Sequence, residues 1–196
     1  MNICVYGASS NTILKEYLQE GEALGKAMVR RGHGLVFGGG ANGMMGAVAR
    51  GVYAEGGSII GVAPRFFSAD GVLFEHCTEL LRTDTMRERK QTMEDRADAF
   101  IMTPGGVGTF EEFFEILTLR QLRRHEKPIA ILNTNGYYND LMKMMHTAIE
   151  QDFLHAACLQ IFGVYTAIEP LLDYVEQERL HPHSYDKLKE IEKTER

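Results

Sequence analysis

Short apolar segments rich in β-branched and aromatic residues alternate along the chain with longer segments of helical periodicity. The apolar segments are continuous rather than alternating, which is typical of strands buried on both faces. They predict strands at residues 2–7, 35–39, 58–64, 99–104, 128–133 and 160–165. The helical segments between and after them predict helices at residues 13–31, 43–55, 84–96, 109–124, 137–151 and 167–178.

This alternation predicts an α/β fold, with a doubly wound, mostly parallel sheet flanked by helices on both faces. The 196-residue chain shows no internal repeat and no linker, so we expect a single domain over residues 1–178. Residues 179–196 are highly charged and nearly free of aliphatic side chains, which predicts a solvated C-terminal tail. Residues 65–82 form a polar and aromatic connection between predicted elements.

Composition excludes several classes of function but adds little to the prediction of the fold. The formal net charge of −6 provides no overall field for nucleic acid or an anionic membrane, so we expect neither as a partner. The three cysteines are far apart and form no CxxC pair, which argues against disulfides or structural zinc and suits a cytoplasmic protein. The first residues lack the basic region of a signal peptide, and no apolar run approaches the length of a membrane span.

Three glycine-bearing turns each lie between a predicted strand and a predicted helix. They read YGASSNT (6–12), FGGGANGMMG (37–46) and PGGVGT (104–109). Ligands of open α/β sheets bind at the carboxyl ends of the strands. The three turns could therefore line one pocket at a common edge of the sheet.

The second turn contains a GxGxxG pattern at Gly38, Gly40 and Gly43. A dinucleotide fingerprint normally opens the first βα unit, whereas this turn belongs to the second. The acid expected near the end of the following strand is also missing, because residues 63–65 are Ala, Pro and Arg. A dinucleotide site is therefore disfavoured, and the absence of GxxxxGK[ST] excludes a P-loop.

The third turn has the features of a phosphate site. Glycine at positions 105, 106 and 108 lets backbone N–H groups face a ligand without obstruction by Cβ. The helix predicted to begin near Thr109 adds its positive end, and the Thr109 hydroxyl could donate to a phosphate oxygen. Gly105, Gly106, Gly108 and Thr109 are therefore candidates for binding a small anion.

The carboxylates that follow have two interpretations. Thr109 and Glu112 fit an S/T-x-x-E capping box, in which Glu112 would only return a hydrogen bond to the helix cap. Alternatively, Glu112 is a catalytic acid placed behind a phosphate site. Glu111 and Glu115 are expected on the exposed face of the helix.

A cluster of cations precedes this region. Arg87, Arg89 and Lys90 occupy the first turns of the helix predicted at residues 84–96, where the helix dipole disfavours positive charge. In an acidic protein this placement suggests that some of these cations bind an anion. A solvated basic helix face, paired with Glu88 and Glu94, would explain the same pattern.

These segments resemble the LONELY GUY (LOG) family, long labelled lysine decarboxylase. PGGVGTFEE (104–112) matches the family motif PGGxGTxxE, and MRERK (86–90) matches its M-x-x-RK segment. FGGGANGMMG and VYGASS are similar to its glycine-rich turn and its first-strand turn. The order and spacing of these segments extend the resemblance to about residue 178.

The resemblance implies a Rossmann-like cytokinin riboside 5′-monophosphate phosphoribohydrolase. Such an enzyme releases the free base and ribose 5-phosphate from N6-substituted AMP, and often from AMP itself. The resemblance also implies no cofactor and no metal, a nucleoside 5′-monophosphate as the small-molecule partner, and a homodimer or higher homo-oligomer formed by helices of the C-terminal half. A lysine decarboxylase would need a lysine that carries PLP, and nothing in the sequence indicates one.

Glu112 and Arg89 are the catalytic residues that the matched motifs imply. The substrate-binding residues expected from the motifs and the glycine turns are Lys90, Gly105, Gly106, Gly108, Thr109, Thr118, Ser9 and Gly40. Residues 65–82 depart from the plant-type pattern, so the preferred base stays open. Asp70, Glu75 and His76 are candidates for contact with the base.

Two other functions stay open at this point. A nucleotide or molybdenum-cofactor carrier of the same fold would bind its ligand without hydrolysis. A general AMP or purine-monophosphate nucleosidase would cleave the same bond without any role in hormone production. The presence of both Arg89 and Glu112 favours hydrolysis, because a protein that only binds has no need to keep them together.

Overall fold

A computed structural model of the protein describes residues 1–67 and 71–185. Its strands are β1 (Asn2–Tyr6), β2 (Gly34–Phe37), β3 (Ile59–Pro64), β4 (Glu79–Thr83), β5 (Ala99–Met102), β6 (Ile129–Leu132) and β7 (Gly163–Tyr165). Its α-helices are α1 (Lys15–Arg30), α2 (Gly43–Ala54), α3 (Met86–Arg96), α4 (Val107–Gln121), α5 (Asn139–Glu150) and α6 (Ile168–Leu180).

The strands form one sheet in the order β4-β3-β2-β1-β5-β6-β7, and every pair of neighbouring strands is parallel. This confirms the predicted α/β fold with a doubly wound sheet. The strand order reverses between β1 and β5, and open sheets of this kind bind ligands in the crevice at such a switch point. The turns that follow β1 and β5 therefore meet at the position where a ligand site is expected.

Successive residues of β1 show why the strands read as continuous apolar runs. Ile3 and Val5 pack into one core with side chains of α1, α2 and α6, whereas Cys4 and Tyr6 pack into a second core with α3, α4 and α5. Both faces of the sheet are covered, so both sets of alternating side chains are buried. The helices on the two faces hold the strand ends, and thus the turns, in fixed positions.

Strand β4 is absent from the elements that the sequence predicts. It lies at the edge of the sheet and pairs only with β3. Glu79 and Arg82 leave it without a continuous apolar run, and only Thr83 among its residues is buried. An edge strand of this composition carries little of the hydrophobic signal by which buried strands are recognised.

The C-terminal boundary also differs from the prediction. Helix α6 runs through Leu180, two residues past the predicted limit of the domain. Glu178 is buried and pairs with Arg120 of α4, and Tyr185 packs against the core beneath α4 and α5. The start of the predicted tail is therefore attached to the domain, while residues 186–196 lie outside the described part of the chain.

None of the helices within residues 1–67 and 71–185 is long and apolar enough to cross a membrane. Within the same residues, no group of three or more His, Cys, Asp or Glu side chains has an arrangement that could hold a metal ion.

Candidate active site

A cavity of about 580 Å³ opens at the carboxyl ends of β1, β2 and β5. Its size falls within the range of about 300–1,000 Å³ that is common for small-molecule sites. All three glycine-bearing turns contribute to its wall, as the sequence predicts. Ser9 comes from the first turn, Gly38 and Gly40 from the second, and Gly106 and Gly108 from the third.

Helix α4 begins at the cavity with its N-terminus uncapped by any described side chain. Its N-cap residue is Gly106, and the helix starts at Val107, two residues before the predicted start. A Cβ at Gly106 or Gly108 would meet no described atom within 4 Å, so both glycines border open space. The free N–H groups and the positive end of the helix dipole make this end of the cavity suited to an anion.

The early start of α4 removes the capping-box interpretation of Thr109 and Glu112. Thr109 lies inside the helix and is buried, with 3% of its surface exposed, so it cannot act as the N-cap. The capping box of this region belongs to α3, where the Thr85 hydroxyl accepts from the Glu88 N–H at 3.1 Å. Glu112 is thus available for another role.

Glu112 pairs with Arg89 across the cavity wall. Arg89 Nη1 lies 3.0 Å from Glu112 Oε1, and the two side chains are 8% and 12% exposed. Burial raises the pKa of the Glu112 carboxyl, and the Arg89 charge and hydrogen bond oppose that rise. Both residues line the cavity, so the predicted catalytic pair is brought together at its surface.

The burial of Arg89 follows from how α3 begins. The capping box at Thr85 starts the helix at Met86, and Arg89 lies in its first turn, where Nε donates to the Val62 carbonyl at 3.2 Å. Val62 belongs to β3, so the guanidinium lies over the end of the sheet. A solvated basic helix face is therefore the wrong interpretation for Arg89, although Arg87 is exposed.

Three predicted substrate-binding residues are not among the described residues that line this cavity. Lys90 pairs with Glu111, and also with Glu115 at 3.0 Å. Thr118 is exposed on α4, in a separate apolar groove between α4 and α5. Gly105 lies behind the turn, where a Cβ would overlap the Thr109 hydroxyl and approach the Ala8 nitrogen to 3.0 Å.

Glu111 lies at the cavity as well as at the surface. Its side chain is 55% exposed, as predicted, yet it contributes to the lining and is paired with Lys90. Its position next to Glu112 in the sequence gave no indication of this. Consecutive side chains of a helix point about 100° apart, so the Glu112 carboxylate is buried while the neighbouring Glu111 carboxylate is exposed.

Apolar side chains form one part of the cavity lining, which we call the apolar wall. Its side chains come from α2, from the 65–82 connection and from the start of α3: Met45, Phe67, Val72, Leu73 and Met86. Backbone hydrogen bonds attach the connection to the second glycine turn, from Ala41 N to Val72 O and from Phe74 N to Gly39 O, both at 2.9 Å.

The sequence indicated that the 65–82 connection could contact the base, but it did not show which residues of the connection line the cavity. Glu75 and His76 line a separate surface cavity with Tyr53, and His76 stacks on the Tyr53 ring. Asp70 lies outside the described residues. The lining residues Phe67, Val72 and Leu73 have no motif, and only the fold shows that they face the site.

These features define a Rossmann-like α/β protein whose cavity contains a free helix N-terminus beside a buried carboxylate–guanidinium pair. The model of a family described as "Possible lysine decarboxylase" matches residues 45–175. The chain belongs to this family, which is the LOG family of the sequence motifs.

Relatives with curated names cover most of the chain. One is a "Probable cytokinin riboside 5'-monophosphate phosphoribohydrolase" of Oryza sativa subsp. japonica, 37% identical over 89% of this chain and 70% of its own length. Another is a cytokinin riboside 5'-monophosphate phosphoribohydrolase of Arabidopsis thaliana, 35% identical over 89% of this chain and 81% of its own. Among solved structures, the molybdenum cofactor carrier protein of Chlamydomonas reinhardtii has a TM-score of 0.67 at 19% identity, covering 90% of this chain and 96% of its own, and shows a shared fold.

Proposed function

We propose that this protein hydrolyses the N-glycosidic bond of cytokinin riboside 5′-monophosphates, which are N6-substituted forms of AMP, and that it also acts on AMP. The products are the free base and ribose 5-phosphate. Family membership and the names of its relatives make the chain an N-glycosidase of the phosphoribohydrolase class. The observation that carries the proposal is the Arg89–Glu112 pair on the wall of a cavity that also contains the free N-terminus of α4.

The α4 N-terminus supports binding of the 5′-phosphate. Gly106 and Gly108 leave room for phosphate oxygens to approach the backbone, and Ser9 adds a hydroxyl from the first turn. A phosphate at a helix N-terminus interacts with unpaired N–H groups and with the helix dipole. This anchor would place the ribose beside Glu112, which is one helical turn further along α4.

Glu112 and Arg89 supply the chemistry in this proposal. Cleavage breaks the bond between C1′ and the base nitrogen, so positive charge develops on the sugar ring in the transition state. An ionised Glu112 stabilises that charge and accepts a proton from the water that attacks C1′. Arg89 favours the ionised form of Glu112 and orients it through their hydrogen bond. The departing base takes up a proton at the nitrogen that leaves C1′.

The apolar wall supports a base with a hydrophobic substituent. Met45, Phe67 and Leu73 present side chains that can pack against a purine ring and an N6 group without competing hydrogen bonds. The wall and the α4 N-terminus line the same cavity. A nucleoside monophosphate therefore suits the cavity with its phosphate at α4 and its base at the wall.

A substrate panel tests the proposal. The purified protein is incubated with AMP, isopentenyladenosine monophosphate, the matching ribosides and other nucleoside monophosphates, and free base is quantified by chromatography. Release of base from the N6-substituted monophosphate and from AMP, but not from the ribosides, is the expected result. If no monophosphate yields base while nucleotides still bind, the protein is a carrier. Equal release from ribosides would contradict the role of the α4 N-terminus.

We propose in addition that the protein forms a homodimer through the groove between α4 and α5. The groove is lined by apolar side chains, among which Phe114, Met144 and Phe153 are 39%, 70% and 82% exposed. Clustered exposed apolar surface of this kind is typical of an interface. Thr118 lies in the same groove, so a contact between Thr118 and substrate would require the cavity of the partner copy.

The proposed cellular location is the cytoplasm. Cys4, Cys77 and Cys158 are all free thiols in the described structure, and free thiols suit a reducing compartment.

A further inference from the structure

Gly38 immediately follows β2 and lines the cavity. Its backbone is not in the left-handed region, unlike that of its neighbour Gly39, whose φ is 76°. Alanine could therefore adopt the Gly38 conformation without strain. A reason for glycine at this position must come from its surroundings.

Those surroundings are the guanidinium of Arg89. A Cβ built on Gly38 would overlap Arg89 Nη2, and it would lie 3.0 Å from Arg89 Cζ. The next nearest atom is Met45 Sδ at 3.4 Å, which is an ordinary van der Waals contact. Arg89 is thus the one residue among these close neighbours that an alanine side chain would displace.

Arg89 has little freedom to move aside. Its Nε donates to the Val62 carbonyl at 3.2 Å, and its Nη1 donates to Glu112 at 3.0 Å. The guanidinium is planar, so these two hydrogen bonds together fix the position of Nη2. Moving Nη2 away from position 38 would break at least one of them.

We propose that Gly38 is a positioning residue for the hydrolysis, because its lack of a side chain provides the space that Arg89 occupies while it pairs with Glu112. The catalytic part of this inference rests on the proposed function, whereas the contact itself does not. It also gives the GxGxxG pattern a different physical meaning. The first glycine of the pattern makes room for an arginine side chain, whereas the first glycine of a dinucleotide fingerprint serves a tight turn.

Displacement of Arg89 would change the ionisation of Glu112. The groups that face Glu112 are Arg89 and Lys90 from α3, Glu111 from its own helix, and Cys4 and Tyr6 from β1. Burial raises the Glu112 pKa, and Arg89 is the foremost of the groups that lower it. Without Arg89 nearby, the pKa would rise further, and the active ionised form would be lost at a higher pH as the solution is acidified.

A double-mutant cycle tests the inference, with Gly38→Ala, Arg89→Ala and the combined variant compared with wild type. Gly38→Ala should lower kcat for the monophosphate substrate about 100-fold, as expected for a misplaced catalytic group, with little change in KM. The acidic limb of its pH–rate profile should move to higher pH. In the Arg89→Ala background the same substitution should have almost no further effect, because the group that it displaces is already absent.

Two outcomes would overturn the inference: near-normal kcat and an unchanged pH profile for Gly38→Ala, or losses that multiply in the double variant. If Gly38→Ala fails to fold, recovery of folding in Gly38→Ala/Arg89→Ala would support the predicted overlap, and continued misfolding would refute it. The NMR resonance of the Arg89 Nε–H group, assigned by its loss in Arg89→Ala, provides a readout without substrate. It should shift in Gly38→Ala even if wild type cleaves no nucleotide, so failure of the two proposals can be told apart.

Discussion

Glu112 is subject to two opposing influences at the level of the single side chain. Burial disfavours its charged form, and the Arg89 guanidinium favours it. The carboxylate is also in the second turn of α4, close to the positive end of the helix. The proposed chemistry needs the ionised form, so the pair with Arg89 maintains the reactive state at the expense of a buried charge.

Glu112→Gln should reduce kcat by at least about 100-fold, because the amide neither carries the charge nor accepts the proton that catalysis requires. Affinity for ribose 5-phosphate, measured by calorimetry, should change little, since the phosphate binds at the α4 N-terminus. Glu115→Gln is the matched control, because Glu115 is exposed on the same helix and pairs only with Lys90 among described residues. Near-normal turnover of Glu112→Gln would refute the catalytic role.

Which residues lie at the cavity was more accessible from sequence than how the helices that carry them begin. The motifs identify Arg89 and Glu112, but Thr109 is chemically as good an N-cap as Thr85. Glycines at 105, 106 and 108 permit several helix starts, and a shift of two residues changes Thr109 from a cap into a buried helical residue. Local pattern alone does not choose between these starts, which differ by only a residue or two.

At the level of elements, two consecutive tyrosines donate hydrogen bonds to the turn between β5 and α4. The Tyr137 hydroxyl donates to the Gly105 carbonyl at 2.8 Å, and the Tyr138 hydroxyl donates to the Thr103 carbonyl at 2.7 Å. In a trans peptide the N–H points opposite to the carbonyl, so the bond from Tyr137 directs the Gly106 N–H away from Tyr137. The tyrosines thereby help to orient the backbone that the phosphate would meet.

Tyr137→Phe should raise KM for the monophosphate by about 3- to 10-fold, which corresponds to loss of one hydrogen bond of about 1 kcal/mol. The ring contact with Tyr138 is retained in this variant, so kcat should change little. Steady-state kinetics measures both quantities. Tyr53→Phe, at a surface ring stacked on His76, serves as the control and should keep the wild-type KM. An unchanged KM in Tyr137→Phe would show that the turn needs no such support.

Prediction from sequence succeeded for the buried elements and for the edge strand β7, but it missed the edge strand β4. Continuous apolar runs revealed β1, β3 and β5, and Gly32 ends α1 with a φ of 77°, as expected for a glycine after a helix. Strand β4 has neither a continuous apolar run nor a glycine that marks its end. It lies at the end of the polar 65–82 connection and pairs with β3. The apolar wall was not predicted because the 65–82 connection, which supplies three of its side chains, has no helical or strand periodicity.

At the scale of the whole molecule, the apolar groove between α4 and α5 is the surface through which the proposed homodimer would form. Replacing exposed Met144 by Glu introduces a charge into this groove, which two copies could not bury without cost. Met144→Glu should therefore convert a dimer into a monomer in sedimentation experiments. Leu180→Glu, at an apolar side chain that is 73% exposed elsewhere, should leave the dimer intact. A wild-type monomer would contradict the proposed interface.

The dependence of stability on pH should report His125, which follows α4. Its Nδ1 accepts from the Lys127 N–H, so its Nε2 donates to the Ile116 carbonyl at 2.9 Å, and burial lowers its pKa from 6.5 to about 4. Between about pH 6.5 and 4, the His125 side chain is protonated in the unfolded chain but neutral in the folded chain. The stability provided by neutral His125 is therefore complete above about pH 6.5 and is lost as the pH falls towards 4.

His125→Gln should flatten the fall in melting temperature between about pH 6.5 and 4, because the variant side chain does not titrate. Thermal unfolding across this interval measures the effect. His146→Gln, which alters an exposed histidine of α5, should keep the wild-type slope. Equal slopes for His125→Gln and wild type would assign the acid sensitivity to other groups.

The reversal of strand order between β1 and β5 has a consequence for how activity is acquired during folding. Ser9 and Gly106 lie almost a hundred positions apart in the chain, yet both border the cavity. Closing so long a loop costs more chain entropy than forming local structure, so we expect the site to be completed after the local helices form. Recovery of activity after dilution from denaturant should consequently lag behind recovery of helical signal. In the proposed function, a nucleotide that contacts both turns would stabilise their association in the folded protein.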